Sequence, residues 1–451
     1  MRSLRKPQLN LFCQYPDHKL GRELQKISQI LDRHPEFIIW AHEDLVNEKI
    51  ETGNSGISAE QVLRAAILKN VHRLSYRQLA FNIVDSYSSR AFLGMDFDES
   101  YSSSALQYAI SKISEKTWEE ISKVLVWDAK EQGIEDCRRA RVDSTVTDTN
   151  IHHPTDSSLL NDCIRVIDRL FQRLRRKANK KYWRFSTNQD VKTAKGLIYK
   201  INNAKNTEER LPLYKELLKI AKRLDRDFPQ ILDKMEKVVW KKKHCQKDYE
   251  ELQRIQPLLA KIIHQTTKRV IKGQTVPSSK KIVSIFEPHT DIIVKDRRET
   301  QFGHKIFITS GKSNMVLHCD IPSGNPSDAE MFMGTLDTLN KSYGRYPLKV
   351  SADGGFSSKD NVKMAREMGV KDVCFPKKCN MKITDMVKSS WVYKELVNWR
   401  AGIEAVISFL KRCFGMRRAN WQGFDGYKQY IRNTVASFNL MVLARHELAL
   451  T

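Results

Sequence analysis

A chain of 451 residues with 41% hydrophobic content can bury real cores, which excludes a disordered tail and favours two or three domains. Its net charge of +24 exceeds what a compact protein carries without a polyanionic partner, because like charges disfavour the folded state. No apolar run approaches the roughly 18–20 residues that span a bilayer, and the opening MRSLRKPQLNLFCQYPDHKL lacks a signal-peptide core. Nucleic acid is the expected partner and the cytoplasm the expected setting.

Residues 1–137 read as helical. Ser58 with Gln61, Ser75 with Gln78 and Ser104 with Gln107 each have capping-box spacing ahead of apolar residues at helical intervals. Three short capped helices, the first two joined by a tight turn, suit a helix-turn-helix-like unit for DNA contact or dimerisation. Over 138–147 the pattern turns to β in RRARVDSTVT, which carries a lone acid, Asp143.

From about 160 to 272 long amphipathic helices return. Residues 161–272 hold 30 Lys+Arg against 13 Asp+Glu, an excess of 17 that suggests a phosphate-tracking surface rather than an ordinary solvated face. Within it Trp183, flanked by Lys180, Lys181 and Arg184, could stack on an unpaired base or simply pack.

After GQTVPSSK, the segments KIVSIFEPHTDIIVKD, HKIFITSG and NMVLHCDIPSG predict antiparallel strands. SDAEMFMGTLDTLNKSYG predicts a helix, YPLKVSADGGF a strand ending at Asp353, NVKMAREMG a helix, and VKDVCFP a short strand. One long helix is expected over WVYKELVNWRAGIEAVISFLKRCFG, carrying Glu404. The closing segment, 425–451, is apolar at helical spacing and fits core or dimer packing equally.

Three carboxylates now stand out. Asp143 lies in a strand, and Asp353 ends another, where α/β sheets tend to place functional groups. Glu404 lies on a helix able to pack beside them. Brought together they would repel, and divalent cations would remove that penalty. At about 100° per residue, Arg400, Glu404 and Lys411 share one helix face, an acid for a metal beside cations for a DNA strand. Asp148 and Asp156 compete with Asp143 by proximity. His152 and His153 have no partner at metal-ligand spacing, and neither do Cys374 and Cys379, so the cysteines read as free thiols.

On these segments the chain resembles the DDE transposases of bacterial insertion sequences, most closely the ISNCY group. HEDLV with SAEQVLRAAILKNVHRLSYRQLAF is similar to the family's N-terminal helical domain, RVDSTVTDTNIHHPTDSSLL to its first-aspartate segment, VSADGGFSS to its second, and WRAGIEAVISFLKRCFGMRRANWQGFDGY to its glutamate segment. The resemblance implies a ribonuclease-H-like catalytic core, a mixed sheet flanked by helices over 138–159 and 273–424. It also implies an N-terminal helical domain over 1–137 and a basic helical insertion over 160–272. Asp143, Asp353 and Glu404 would ligate Mg²⁺ (Mn²⁺ as a substitute), as a pair of ions, and Arg400 and Lys411 would hold phosphates. The implied reaction is cleavage at the element ends and strand transfer into target DNA. The implied partners are terminal inverted repeats, target DNA and further copies of the chain in a homodimer or larger assembly. One departure is visible: the family signature Tyr-x2-Arg-x3-Glu-x6-Lys has Val397 at its tyrosine position.

Overall fold

The computed structural model describes residues 15–46, 56–96, 98–177, 187–239, 245–294, 300–376 and 381–450. They form two compact units, one from residues 1–149 and 304–451 and the other from 150–303. Each has its own hydrophobic core.

The larger unit opens with helices α1 (Lys19–Arg33), α2 (Glu36–Leu45), α3 (Ala59–Val71), α4 (Tyr76–Asp85), α5 (Tyr87–Leu93), α6 (Ser103–Ile110) and α7 (Glu115–Glu131). The capping boxes at Ser58/Gln61 and Ser75/Gln78 form as their spacing predicts. The third does not. Ser102, not Ser104, accepts from the Ala105 amide, so α6 begins earlier and Ser104 falls in its first turn. α3 is buried on nearly every side, whereas α4 keeps an exposed face with Phe81 and Val84.

Strand β1 (Arg139–Thr149) follows, and after the smaller unit the chain returns through β3 (Thr300–Ser310) and β4 (Val316–Asp320). Next come α12 (Asp328–Tyr343), β5 (Lys349–Ala352), α13 (Lys359–Glu367), β6 (Asp372–Cys374), α14 (Ile383–Met386), α15 (Ser390–Arg400), α16 (Gly402–Cys413), β7 (Arg418–Ala419) and α17 (Gly423–Leu450). The sheet is mixed. β1 lies between β3 and β5, β5 pairs parallel with β6, β4 pairs antiparallel with β3, and β7 runs parallel beside the end of β1.

Helices α1 to α7 fall in the same compact unit as β1 and the strands after residue 304. Apolar residues from α1 to α7 share one core with the sheet, and α17 is the hub that joins them. Its Ile431, Leu440, Leu443 and Ala444 are fully buried, which settles the closing helix as core. Asn439 sets its seating by bonding both the amide and the carbonyl of Val316 in β4, at 2.8 and 2.9 Å.

Where α1, α7 and α17 meet, Arg33 bridges Asp128 and Glu447, and His34 Nε2 lies 3.0 Å from Asp128. Burial raises both carboxyl pKa values, but the bonds from His34 and Arg33 to Asp128, and from Arg33 and Gln132 to Glu447, more than offset it, leaving both depressed. A depressed carboxyl pKa contributes stability above the unfolded value, near 4, that disappears as pH falls through the folded value. Urea unfolding between pH 7 and pH 3 should therefore show an acid loss of stability that is shallower in Asp128→Asn; equal slopes would exclude this cluster as its source.

The smaller unit is helical: α8 (Asp156–Lys177), α9 (Asn188–Asn203), α10 (Thr207–Val239) and α11 (Gln246–Thr266), which widens into a π-helical turn over Thr267–Ile271. Strand β2 (Asp291–Val294) pairs antiparallel with Thr300–Gly303. The strand expected from residue 281 begins only at Asp291. Gln265 of α11 takes both the amide and the carbonyl of Ile282, at 2.9 and 3.2 Å, so a side chain stands where a ladder partner would. Ser284 then turns the chain by accepting from the amides of Phe286 and Glu287. Among the described residues no helix is long and apolar enough to cross a membrane.

Candidate active site

Register brings the first two acids together. Val142 pairs with Ala352 in the parallel β1–β5 ladder, so Asp143, within β1, and Asp353, just past the end of β5, sit side by side. The Ser144 amide donates to Asp143 Oδ1 at 2.7 Å and orients that carboxylate. Beyond Asp353 the chain turns sharply through Gly354–Phe356. A Cβ on Gly355 would lie 2.5 Å from Asp328 Oδ2, so only glycine allows this approach.

The third acid arrives from a helix that is not continuous. In place of one long helix, α15 ends at Arg400 and α16 starts at Gly402. Arg141 packs at this junction. It lies two residues before Asp143 on β1, hence on the same face of the strand, and it is almost fully buried. Its guanidinium donates to the Trp399 carbonyl at 3.0 Å, to Ser310 Oγ at 2.8 Å and to Asn314 Oδ1, and stacks 5.0 Å from the Trp399 ring. A Cβ at residue 402 would fall on that guanidinium, 2.9 Å from Cζ. Ala401, between the two helices, keeps right-handed helical backbone angles, and the i,i+4 contact from Arg400 to Glu404 spans the junction.

The three acids meet at one cation. Arg400 Nη1 lies 3.7 Å from Asp143 Oδ2 and 3.7 Å from Asp353 Oδ1, and Nη2 lies 3.4 Å from Glu404 Oε1. The two aspartates are thus no further apart than twice the first distance, within what a pair of metal ions about 3.5–4 Å apart could bridge. Asp143 and Arg400 are mostly covered, whereas Asp353 and Glu404 are open to solvent. Arg400 Nε is buried without a hydrogen-bond partner. Three negative charges against one positive leave the centre anionic.

Around this centre lie residues that sequence reasoning missed. Lys305 of β3 donates to Asp328 Oδ1 at 3.1 Å, and Ser144 Oγ donates to Asp328 Oδ2 at 3.2 Å, buttressing the part of β1 that holds Asp143. Asp328 follows the Ser327/Glu330 capping box, visible in SDAE, but nothing in the sequence aims it at Ser144. Arg141 and Gly402 did leave a signal: a basic residue in strand register with the acid, and a glycine inside a helical pattern.

The other candidates lie apart from the acids. Asp148 is in register with Arg418 of β7; burial raises its carboxyl pKa, and Arg418 and Lys411 only partly oppose this. Lys411 is therefore placed by Asp148, at the far end of β1. Asp156 is buried and bonded to Arg269 at 2.8 Å and Gln265 at 3.3 Å. His152 pairs with Asp162 at 3.3 Å, and His153 stands edge-on to Phe302. Val397 packs partly buried against the core in place of the signature's tyrosine. Cys374 is buried as a free thiol, and Cys379 lies outside the described residues. Lys180, Lys181, Trp183 and Arg184 also lie outside them.

The sequence model for the transposase DDE domain matches residues 294–440, and that for the transposase domain (DUF772) matches residues 12–110. The chain belongs to the DDE transposases of insertion sequences. The first match encloses Asp353, Arg400 and Glu404, and the second encloses α1 to α6. Asp143 lies outside both; what joins it to Asp353 is the β1–β5 register and the shared contact with Arg400. No curated protein and no solved structure matched the chain.

Proposed function

We propose that this transposase cuts DNA at the ends of its element and joins the freed 3′-OH ends to target DNA, with Asp143, Asp353 and Glu404 as its metal-holding carboxylates on a ribonuclease-H-like core. The observation that carries the reading is the gathering of these acids, from two parallel strands and a helix, about one guanidinium.

The donor set suits Mg²⁺ or Mn²⁺: three carboxylates, all oxygen, with an open side where DNA phosphate oxygens could complete the shell. Among the described residues no group of three acidic, histidine or cysteine side chains is arranged as it stands to hold a metal ion. Arg400 stands between the acids instead. In this reading the guanidinium is their counter-charge until metal is held, and then turns outward to a DNA phosphate, a bidentate partner it matches well. When bound, a pair of ions would supply Lewis-acid charge at the attacking and leaving oxygens of an in-line displacement. The chain itself orients Asp143 through the Ser144 amide, braces that part of β1 through Lys305 and Asp328, and packs Arg141 against the α15–α16 junction that precedes Glu404.

We assign the exposed face of α4 and the helical segment around it to DNA contact or pairing with a second copy. We assign the working location to the cytoplasm, at the nucleoid, and the subgroup to ISNCY, on the sequence segments quoted above.

The test uses DNA carrying the element's own flanking ends. The parent protein should nick it in Mg²⁺ and join pre-cut 3′-OH ends to a plasmid, whereas Asp353→Asn should do neither while still binding. Nicking without joining would reassign the protein as a nuclease, and binding with no cleavage by the parent would reassign it as a DNA-binding derivative.

A further inference from the structure

We infer that a groove in the smaller unit, along α10 and the π-helical end of α11, is a sequence-independent binding site for the phosphate backbone of duplex DNA. It is distinct from the acidic centre and from the 180–184 segment that the sequence suggested. The groove encloses about 660 Å³ and is lined by Lys215, Lys219, Lys222 and Arg226 over a partly aliphatic floor that includes Leu218 and Ile271.

The spacing of its cations is deliberate in helical terms. Intervals of 4, 3 and 4 residues keep Lys215, Lys219, Lys222 and Arg226 within about 60° of arc, along roughly 16 Å of helix. A row of that length suits a run of phosphates, one charge per ~1.7 Å of duplex axis, rather than one small anion. Like charges at i,i+4 destabilise a helix, so the row costs stability wherever no ligand offsets it. Among the described residues Lys215, Lys219 and Lys222 have no ion pair, and Arg226 pairs only with its neighbour Asp227, at 2.9 Å. Arg223, beside the row, is turned aside to Asp190. Glu216, Asp225 and Asp227 fall on other faces of the helix at the same 100° spacing. The apolar floor supports the lysine stems while their ammonium heads stay in water.

Duplex DNA as the occupant rests on the transposase reading; the polyanion itself rests on the groove. The test uses the full-length protein and a fluorescent random-sequence duplex, titrated at several salt concentrations, comparing the parent with the triple variant Lys215→Gln, Lys219→Gln, Lys222→Gln. Glutamine keeps helix propensity at these exposed positions, and thermal unfolding checks that the variant is folded. The slope of log K against log salt should fall by about 2–3, as expected at about 0.9 per lost phosphate contact, with an equal loss on element-end DNA. An unchanged slope in a folded variant would overturn the assignment. So would a loss confined to anionic lipid vesicles or to single-stranded RNA. A slope change without any cleavage by the parent would leave the groove standing and remove the transposase reading. Cleavage by the parent with no slope change would do the reverse.

Discussion

Asp143→Asn should abolish Mg²⁺-dependent cleavage while leaving the metal-free protein about as stable as its parent. Losing one of three metal-holding carboxylates should remove about 4 kcal/mol of transition-state stabilisation, roughly a thousandfold in rate. Stability should hardly move, because the change deletes one ion pair with Arg400 and relieves repulsion from two neighbouring acids at the same time. The asparagine carbonyl can still accept from the Ser144 amide, so this part of β1 keeps its local bond. Metal linkage separates this outcome from simple damage. A ligand at about 100 times its Kd stabilises by ~2.7 kcal/mol, so the parent should melt several degrees higher in saturating Mg²⁺ and the variant should lose most of that gain. A variant that kept both the metal-induced shift and the cleavage would remove Asp143 from the site. That outcome matters most here, since Asp143 is the acid lying outside the family matches.

Gly402→Ala should be the most damaging small substitution near the site. The new methyl would collide with the Arg141 guanidinium, which is nearly fully buried and already committed to Trp399, Ser310 and Asn314. Either the helix break moves or a buried cation loses partners. Overpacking with disrupted polar bonds costs about 3 kcal/mol, or roughly 5–10 °C in melting temperature. Cleavage should fall by up to about 100-fold, since a displacement near 1 Å of a positioned group has that effect. Gly334→Ala is the control. It is also a helical glycine, but nothing lies within 4 Å of its added Cβ, so it should be neutral or mildly stabilising. If both variants melted and cleaved alike, the packing of Arg141 at the junction would have no part in holding the site.

These two expectations mark where the sequence was legible. Strand ends, capping serines and the chain order of the acids follow from local chemistry, and β1, β5 and the first two capping boxes form where the pattern places them. What escaped depends on partners far along the chain. The α15–α16 junction is packed by Arg141, over 250 residues away, and where the expected strand does not form before Asp291, Gln265 reaches the backbone of Ile282. Arg400 was legible as a cation beside Glu404 but not as the meeting point of three acids, because helical periodicity carries no information about which strand ends a helix will face.

The 150–303 interruption also dictates an order of events at the ribosome. β1 emerges early, yet the strands that flank it, β3 and β5, are translated only after the whole helical unit. The nascent chain must therefore hold a buried-type strand without neighbours while the insertion, with a core of its own, is free to collapse first. Helices α1 to α7 are already available to shield that strand during the wait, and catalytic competence is deferred until α16 has left the exit tunnel. On the proposed reading, a truncated product would carry the cationic helices without the assembled acids, and so would occupy DNA without cutting it.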